Sequence, residues 1–238
     1  MDLAVKKAES MKIEDLDNEM LGALADSLHK GPHHGETFRG LLESNLDFAR
    51  WGFRLSHTAY REKGPGATLI YDSDRCRVRF DLANPERYPI FDELYVRYGR
   101  LHAPNDDAEM IWRGEKCRCW HSPMIELLPF LEGQSVEEVF RCKAKVGKYA
   151  RPPFLEAYKQ SEESHRLRSM YPPAAVIREE RLIWEHCGDR LFDVFDLRRP
   201  ELWEKNRRFV HDYWTEHDRL LPPRPILGDQ PLPRDKIC

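Results

Sequence analysis

The chain has 238 residues, enough for one large domain or two small ones, each with a buried core. Its 38 Lys and Arg nearly cancel its 41 Asp and Glu, which excludes a global field pulling it onto nucleic acid or an anionic surface. The aromatic share of 11% argues against a disordered chain, and no apolar run nears the ~20 residues that span a bilayer.

Met1 to Ile13 is charged and lacks the apolar stretch of a secretory signal, which points to a cytoplasmic protein without a membrane partner. Cysteines stand at 76, 117, 119, 142, 187 and 238. In a chain of this length without a signal they read as free thiols or metal ligands rather than a disulfide framework.

Residues 1–52 read as helical. Leu16, Met20, Leu24 and Leu28 repeat every four residues, and Gly31-Pro32 supplies a stop. A second helix is expected over Thr37 to Trp51, with Phe38, Leu41, Leu42, Phe48 and Trp51 on one side and Gly52 at its end. Residues 53–122 change texture. Thr68 to Tyr71 is a short β-type run. Cys76, Val78, Phe80 and Leu82 then alternate with Arg75, Arg77, Arg79 and Asp81, the pattern of a half-buried strand. Leu94, Val96 and Tyr98 repeat that pattern, and Met110 to Trp112 with Cys117 to Trp120 predicts a hairpin. Connections this short exclude parallel crossovers, so the expected fold class is α+β, with an antiparallel sheet of four or five short strands over about 67–121. Helices return over 123–221. Ser135 and Glu138 fit a capping box, Val176 to Cys187 forms an apolar stripe closed by Gly188, and Pro200 opens a last helix. Residues 222–238 hold five prolines and read as an extended tail beyond a single domain of 1–221.

Two constellations carry chemistry. Cys117, Cys119 and His121 fall at i, i+2 and i+4, which on a flat strand share one face, and Cys76 would approach from a neighbouring strand. Such a set would suit Zn²⁺, although structural zinc sites usually fold the backbone round the ion, and buried thiols commonly serve as small apolar fillers. No other cofactor is implied. On the opposite face Arg75, Arg77 and Arg79 line one strand, with Tyr95, Arg97, Arg118 and Trp120 expected beside them. Guanidinium groups among aromatics suit phosphates, stacked bases or an acidic protein, and equally an ordinary face whose arginines pair with acids. There is no nucleophile elbow, phosphate loop or dinucleotide fingerprint. The expectation is therefore a non-enzymatic accessory or regulatory protein that binds a macromolecule, first of all another protein. A nucleic-acid-binding protein using the Arg/aromatic face is the alternative, and a zinc-dependent enzyme or zinc-stabilised domain the second.

Overall fold

A computed structural model describes residues 3–8, 10–30, 34–60, 66–82, 94–105, 109–112, 115–146 and 151–220. The proline-rich stretch 222–238 lies outside the described residues. Helix α1 (Leu3–Ala8) leads through a 3₁₀ turn at Ile13–Asp15 into α2 (Asn18–Lys30) and α3 (His34–Asn45). The start of α2 is fixed by Asp17, whose Oδ1 accepts the Met20 N–H at 2.8 Å.

The second helix ends earlier than its apolar pattern predicts, at Asn45 rather than Trp51. The buried Asn45 side chain explains the stop. Its Oδ1 accepts the Ile13 N–H at 2.7 Å, and its Nδ2 donates to Leu41 O at 2.9 Å and Met11 O at 3.1 Å. These bonds tie the helix end to the N-terminal segment. Asp47 Oδ1 then accepts the Arg50 N–H at 3.0 Å, and Gly52 completes the turn at φ +71°. Phe48 and Trp51 reach the core from this turn, so their spacing copied a helix that is not there.

The sheet comprises β1 (Arg54–Tyr60), β2 (Ala67–Asp72), β3 (Arg77–Leu82) and β4 (Leu94–Gly99). A hairpin follows, β5 (Glu109–Trp112) with β6 (Glu115–Arg118), and then β7 (Trp120–His121). The main sheet is antiparallel in the order β1-β2-β3-β4-β7, and β5-β6 forms a separate pair. Register puts Leu69, Phe80 and Val96 in one row and Tyr71, Val78 and Tyr98 in the next. Both rows are buried against Phe48, Trp184, Phe192 and Phe195. Residues one step along each strand point the other way.

After β7 come a π turn at Pro123–Leu127 and helices α4 (Leu128–Leu131), α5 (Val136–Val146), α6 (Pro153–Lys159), α7 (Glu162–Met170), α8 (Pro172–Asp193) and α9 (Pro200–Leu220). The capping box closes as expected, with the Ser135 N–H donating to Glu138 Oε2 at 2.7 Å and the Glu138 N–H to Ser135 Oγ at 3.2 Å. Gly188 does not end its helix. It sits inside α8 at a close approach, where an added Cβ would fall 2.9 Å from Trp51 Cζ2. One cluster of buried apolar side chains runs from Val5 to Trp203, so the N-terminal helices pack into the core beneath the sheet.

Candidate functional site

The sheet surface turned away from the helices brings five of the seven predicted side chains together. Arg79 and Arg97 are cross-strand partners, Tyr95 lies opposite Asp81, and Arg77 shares a row with Gly99 and Trp120. Each arginine has an acid beside it. Arg77 grips Asp72 with Nε–Oδ1 at 2.8 Å and Nη2–Oδ2 at 3.3 Å, and also donates to the Ala103 carbonyl. Arg79 Nε lies 2.8 Å from Asp81 Oδ2, Arg97 Nη2 lies 3.9 Å from the same oxygen, and Thr68 Oγ1 donates to Asp81 Oδ1 at 2.7 Å.

The turn after β4 roofs part of this surface. Trp120 Nε1 donates to the Pro104 carbonyl at 3.0 Å, and Arg79 lies 5.8 Å from the Trp120 ring centre. Ile70, Ala103, Cys119 and Trp120 form a small apolar cluster there, and Arg79 is only 8% exposed. The Arg77 bond to the Ala103 carbonyl and the Trp120 bond to the Pro104 carbonyl hold that turn onto the sheet, and the guanidinium groups are already directed at acids.

The other two arginines lie elsewhere. Arg75 precedes β3 and turns to the helix side, where its Nη1 meets Asp189 at 3.1 Å and Asp193 at 3.4 Å on α8. Arg118 lies 4.4 Å from the Trp214 ring centre on α9, with Nη1 3.3 Å from Glu126 Oε1. The alternation that grouped Arg75 with Arg77 and Arg79 holds inside β3 and not before its start, and Arg118 belongs to the separate β5-β6 pair rather than to the main sheet.

The thiol set does not assemble as a flat strand would place it. The chain bends at Cys119, between β6 and β7, so the i, i+2, i+4 rule lapses there. Cys119 packs on the outer surface with Ile70, while Cys76 belongs to the main core, where burial pushes its thiol far above the ordinary range. His121 turns to the helix side, 5.3 Å from Trp203 and 5.7 Å from Phe195 between ring centres. The Cys117 side chain lies outside the described residues. Among the described residues no three His, Cys, Asp or Glu side chains gather as a metal would require.

His121 instead faces Glu126, with Nδ1 3.0 Å from Oε2 but off the direction of a formed hydrogen bond. Burial works to raise the Glu126 carboxyl. His121, the Trp214 indole donating to Oε1 at 2.9 Å, and Arg118 outweigh it and hold the group below its usual value. These contacts bind the π turn and α9 against β7 and so cover that edge of the sheet.

The opposite edge is finished differently. β1 pairs with β2 alone among the described residues, and a register shift lies between Leu55 and His57. From Thr58 to Tyr60 every residue is exposed, Tyr60 at 43%. His57-Thr58-Ala59-Tyr60 carries no Lys, Pro or carboxylate, the residues that usually protect an edge. Sequence reasoning missed this strand because none of its residues is fully buried, and Leu55, which packs partly against the core, is too little to make a period-two apolar signal; Thr58 and Tyr60 are its main β-favouring residues.

A recess of about 260 Å³ is lined by Trp51, Trp184 and three cations matched by three carboxylates. Lys12 donates to Ser44 O at 2.6 Å, Arg181 pairs with Glu14 at 2.7 Å and Glu185 at 2.9 Å, and Arg50 lies 4.7 Å from the Trp51 ring centre. Its cations are engaged with the protein itself.

No family model, curated protein or solved structure matches the chain. Among the described residues no helix is long and apolar enough to cross a membrane.

Proposed function

We propose that this is a non-enzymatic accessory or regulatory protein that binds another protein by accepting an extended segment of it along β1. The carrying observation is the exposed outer edge of His57–Tyr60, with β2 as the only described strand neighbour. An edge strand offers alternate N–H and C=O groups to a new strand, and main-chain bonds supply the affinity. The register shift at Leu55 to His57 limits pairing at one end, so the usable edge is the short uncharged stretch beyond it. With Ala59 at its centre, the stretch suits a partner strand of small and apolar residues rather than a charged one.

The nucleic-acid alternative finds less support, because Arg77 and Arg79 would have to leave Asp72 and Asp81 to meet phosphate. The proposal is tested by panning a displayed peptide library on the full chain and mapping the best binder by amide chemical shifts. Perturbations centred on His57–Tyr60 and loss of binding in Ala59→Lys are expected. Binders that map elsewhere, or that hold Ala59→Lys equally well, would refute strand addition.

A further inference from the structure

The recess beside α8 carries charges that the fold does not pair. Three segments far apart in sequence build it: Lys12 ahead of the 3₁₀ turn, the stretch 46–51 that follows α3, and Arg181, Trp184 and Glu185 on α8. Its lining is neutral overall, with Lys12, Arg50 and Arg181 set against Glu43, Asp47 and Glu185.

Three of these six charges are matched within the protein. Arg181 is held by Glu14 and Glu185, and Glu43 Oε1 accepts from Arg39 at 2.8 Å and from the Tyr71 hydroxyl at 3.2 Å. The other three are not. Lys12 donates to a neutral group, the Ser44 carbonyl, which engages one of its three N–H donors. Arg50 lies over the Trp51 ring, a position that leaves its N–H groups able to donate. Among the described residues neither cation has a carboxylate within ion-pair distance. Asp47 accepts the Arg50 backbone N–H at 3.0 Å and has no cation partner among those residues. Unmatched charges of both signs therefore line one small recess.

We propose that this recess binds a free α-amino acid with an apolar side chain, its carboxylate drawn to Lys12 and Arg50 and its ammonium to Asp47. A neutral lining with both signs unmatched selects a ligand that is neutral overall and carries both charges. A lone carboxylate or a lone amine would leave one sign unanswered. A phosphate dianion would meet Glu43, Asp47 and Glu185 as well as the cations. The volume of about 260 Å³ falls below the ~300–1,000 Å³ of drug-sized ligand sites, which sets the size at one amino acid rather than a nucleotide or a peptide. Arg50 and Arg75 lie 4.7 and 5.7 Å from the Trp51 ring centre, and Trp51 is only 9% exposed, so it offers no open face to a sugar or a base. Leu46, Trp51 and Trp184 supply the apolar part of the wall, which suits an aliphatic side chain such as that of leucine.

The experiment is a nuclear magnetic resonance titration of the full chain with L-leucine and its two half-molecules, at matched neutral pH and ionic strength. Isocaproate lacks the ammonium group and isoamylamine lacks the carboxylate. Leucine shifts the amides of residues 47–51 and the Trp51 indole proton saturably, and each half-molecule binds about tenfold more weakly, the size of one charge-assisted hydrogen bond. Arg50→Gln weakens leucine by a similar factor and leaves isoamylamine unchanged. Asp47→Asn, which keeps an oxygen for the Arg50 N–H, weakens leucine and leaves isocaproate unchanged. The half-molecules read the site in the natural chain, whatever the variants do to folding. Leucine shifts that fall elsewhere or fail to saturate, a half-molecule that binds as well as leucine, or leucine affinity unchanged in both variants would each overturn the assignment.

Discussion

The two edges of the sheet teach different lessons. At β7 the strand is two residues long, and α9 lies against it through His121–Trp203, Arg118–Trp214 and Trp214–Glu126. At β1 the strand is seven residues long, exposed over its second half and uncharged there. Natural sheets cover, shorten or charge their edges, because a bare one recruits other strands. A chain that seals one edge with several aromatic and ionic contacts has the means to seal the other. That β1 has no strand neighbour but β2 among the described residues is thus the feature that asks for a functional explanation.

Removing the covering should cost most. Trp203→Ala strips a fully buried indole from between His121 and Phe195, and a loss of about 3–5 kcal/mol is expected in denaturant unfolding. A loss below about 1 kcal/mol would mean that α9 does not hold that edge.

The next effect concerns β4, beside the covered edge. Trp184 Nε1 donates to the Tyr98 hydroxyl at 2.6 Å, which donates to Glu180 Oε2 at 2.6 Å. Desolvation, with Glu179 nearby, pushes the Glu180 carboxyl up to about 8 despite the Tyr98 bond. The folded chain therefore keeps a proton that the unfolded chain releases near 4.5. Stability should fall as pH rises from about 4.5 to about 8 and level off above, by on the order of 4 kcal/mol in all. Glu180→Gln, a neutral isostere, should remove that slope in urea melts taken across this range. A slope unchanged in the variant would assign the proton elsewhere.

The smallest stability change belongs to the bare edge. Ala59→Lys should shift unfolding by no more than about 0.5 kcal/mol, since the position is exposed and buries no apolar surface. The same substitution should remove peptide binding. A marked loss of stability there would show that β1 is already packed against something.

The covered side of the fold was legible in the sequence and the bare side was not. Alternation from Cys76 to Leu82 revealed β3 and both its faces because one face is fully buried. The same rule grouped Arg77, Arg79, Tyr95, Arg97 and Trp120 correctly. It failed for Arg75, which precedes β3, for Arg118, which belongs to the separate β5-β6 pair, and for Cys119, where the backbone bends. Periodicity describes regular backbone and is silent about where it stops. β1 escaped because none of its residues is fully buried, which leaves no apolar rhythm to read.

The most direct measurement is amide hydrogen exchange along both edges, in the free chain and with a panned peptide bound. Strand addition requires fast exchange at alternate amides of His57–Tyr60 in the free chain, protection of those same amides in the complex, and unchanged protection at Trp120 and His121. Amides of β1 that are slow in the free chain, or that stay fast in the complex, would contradict it.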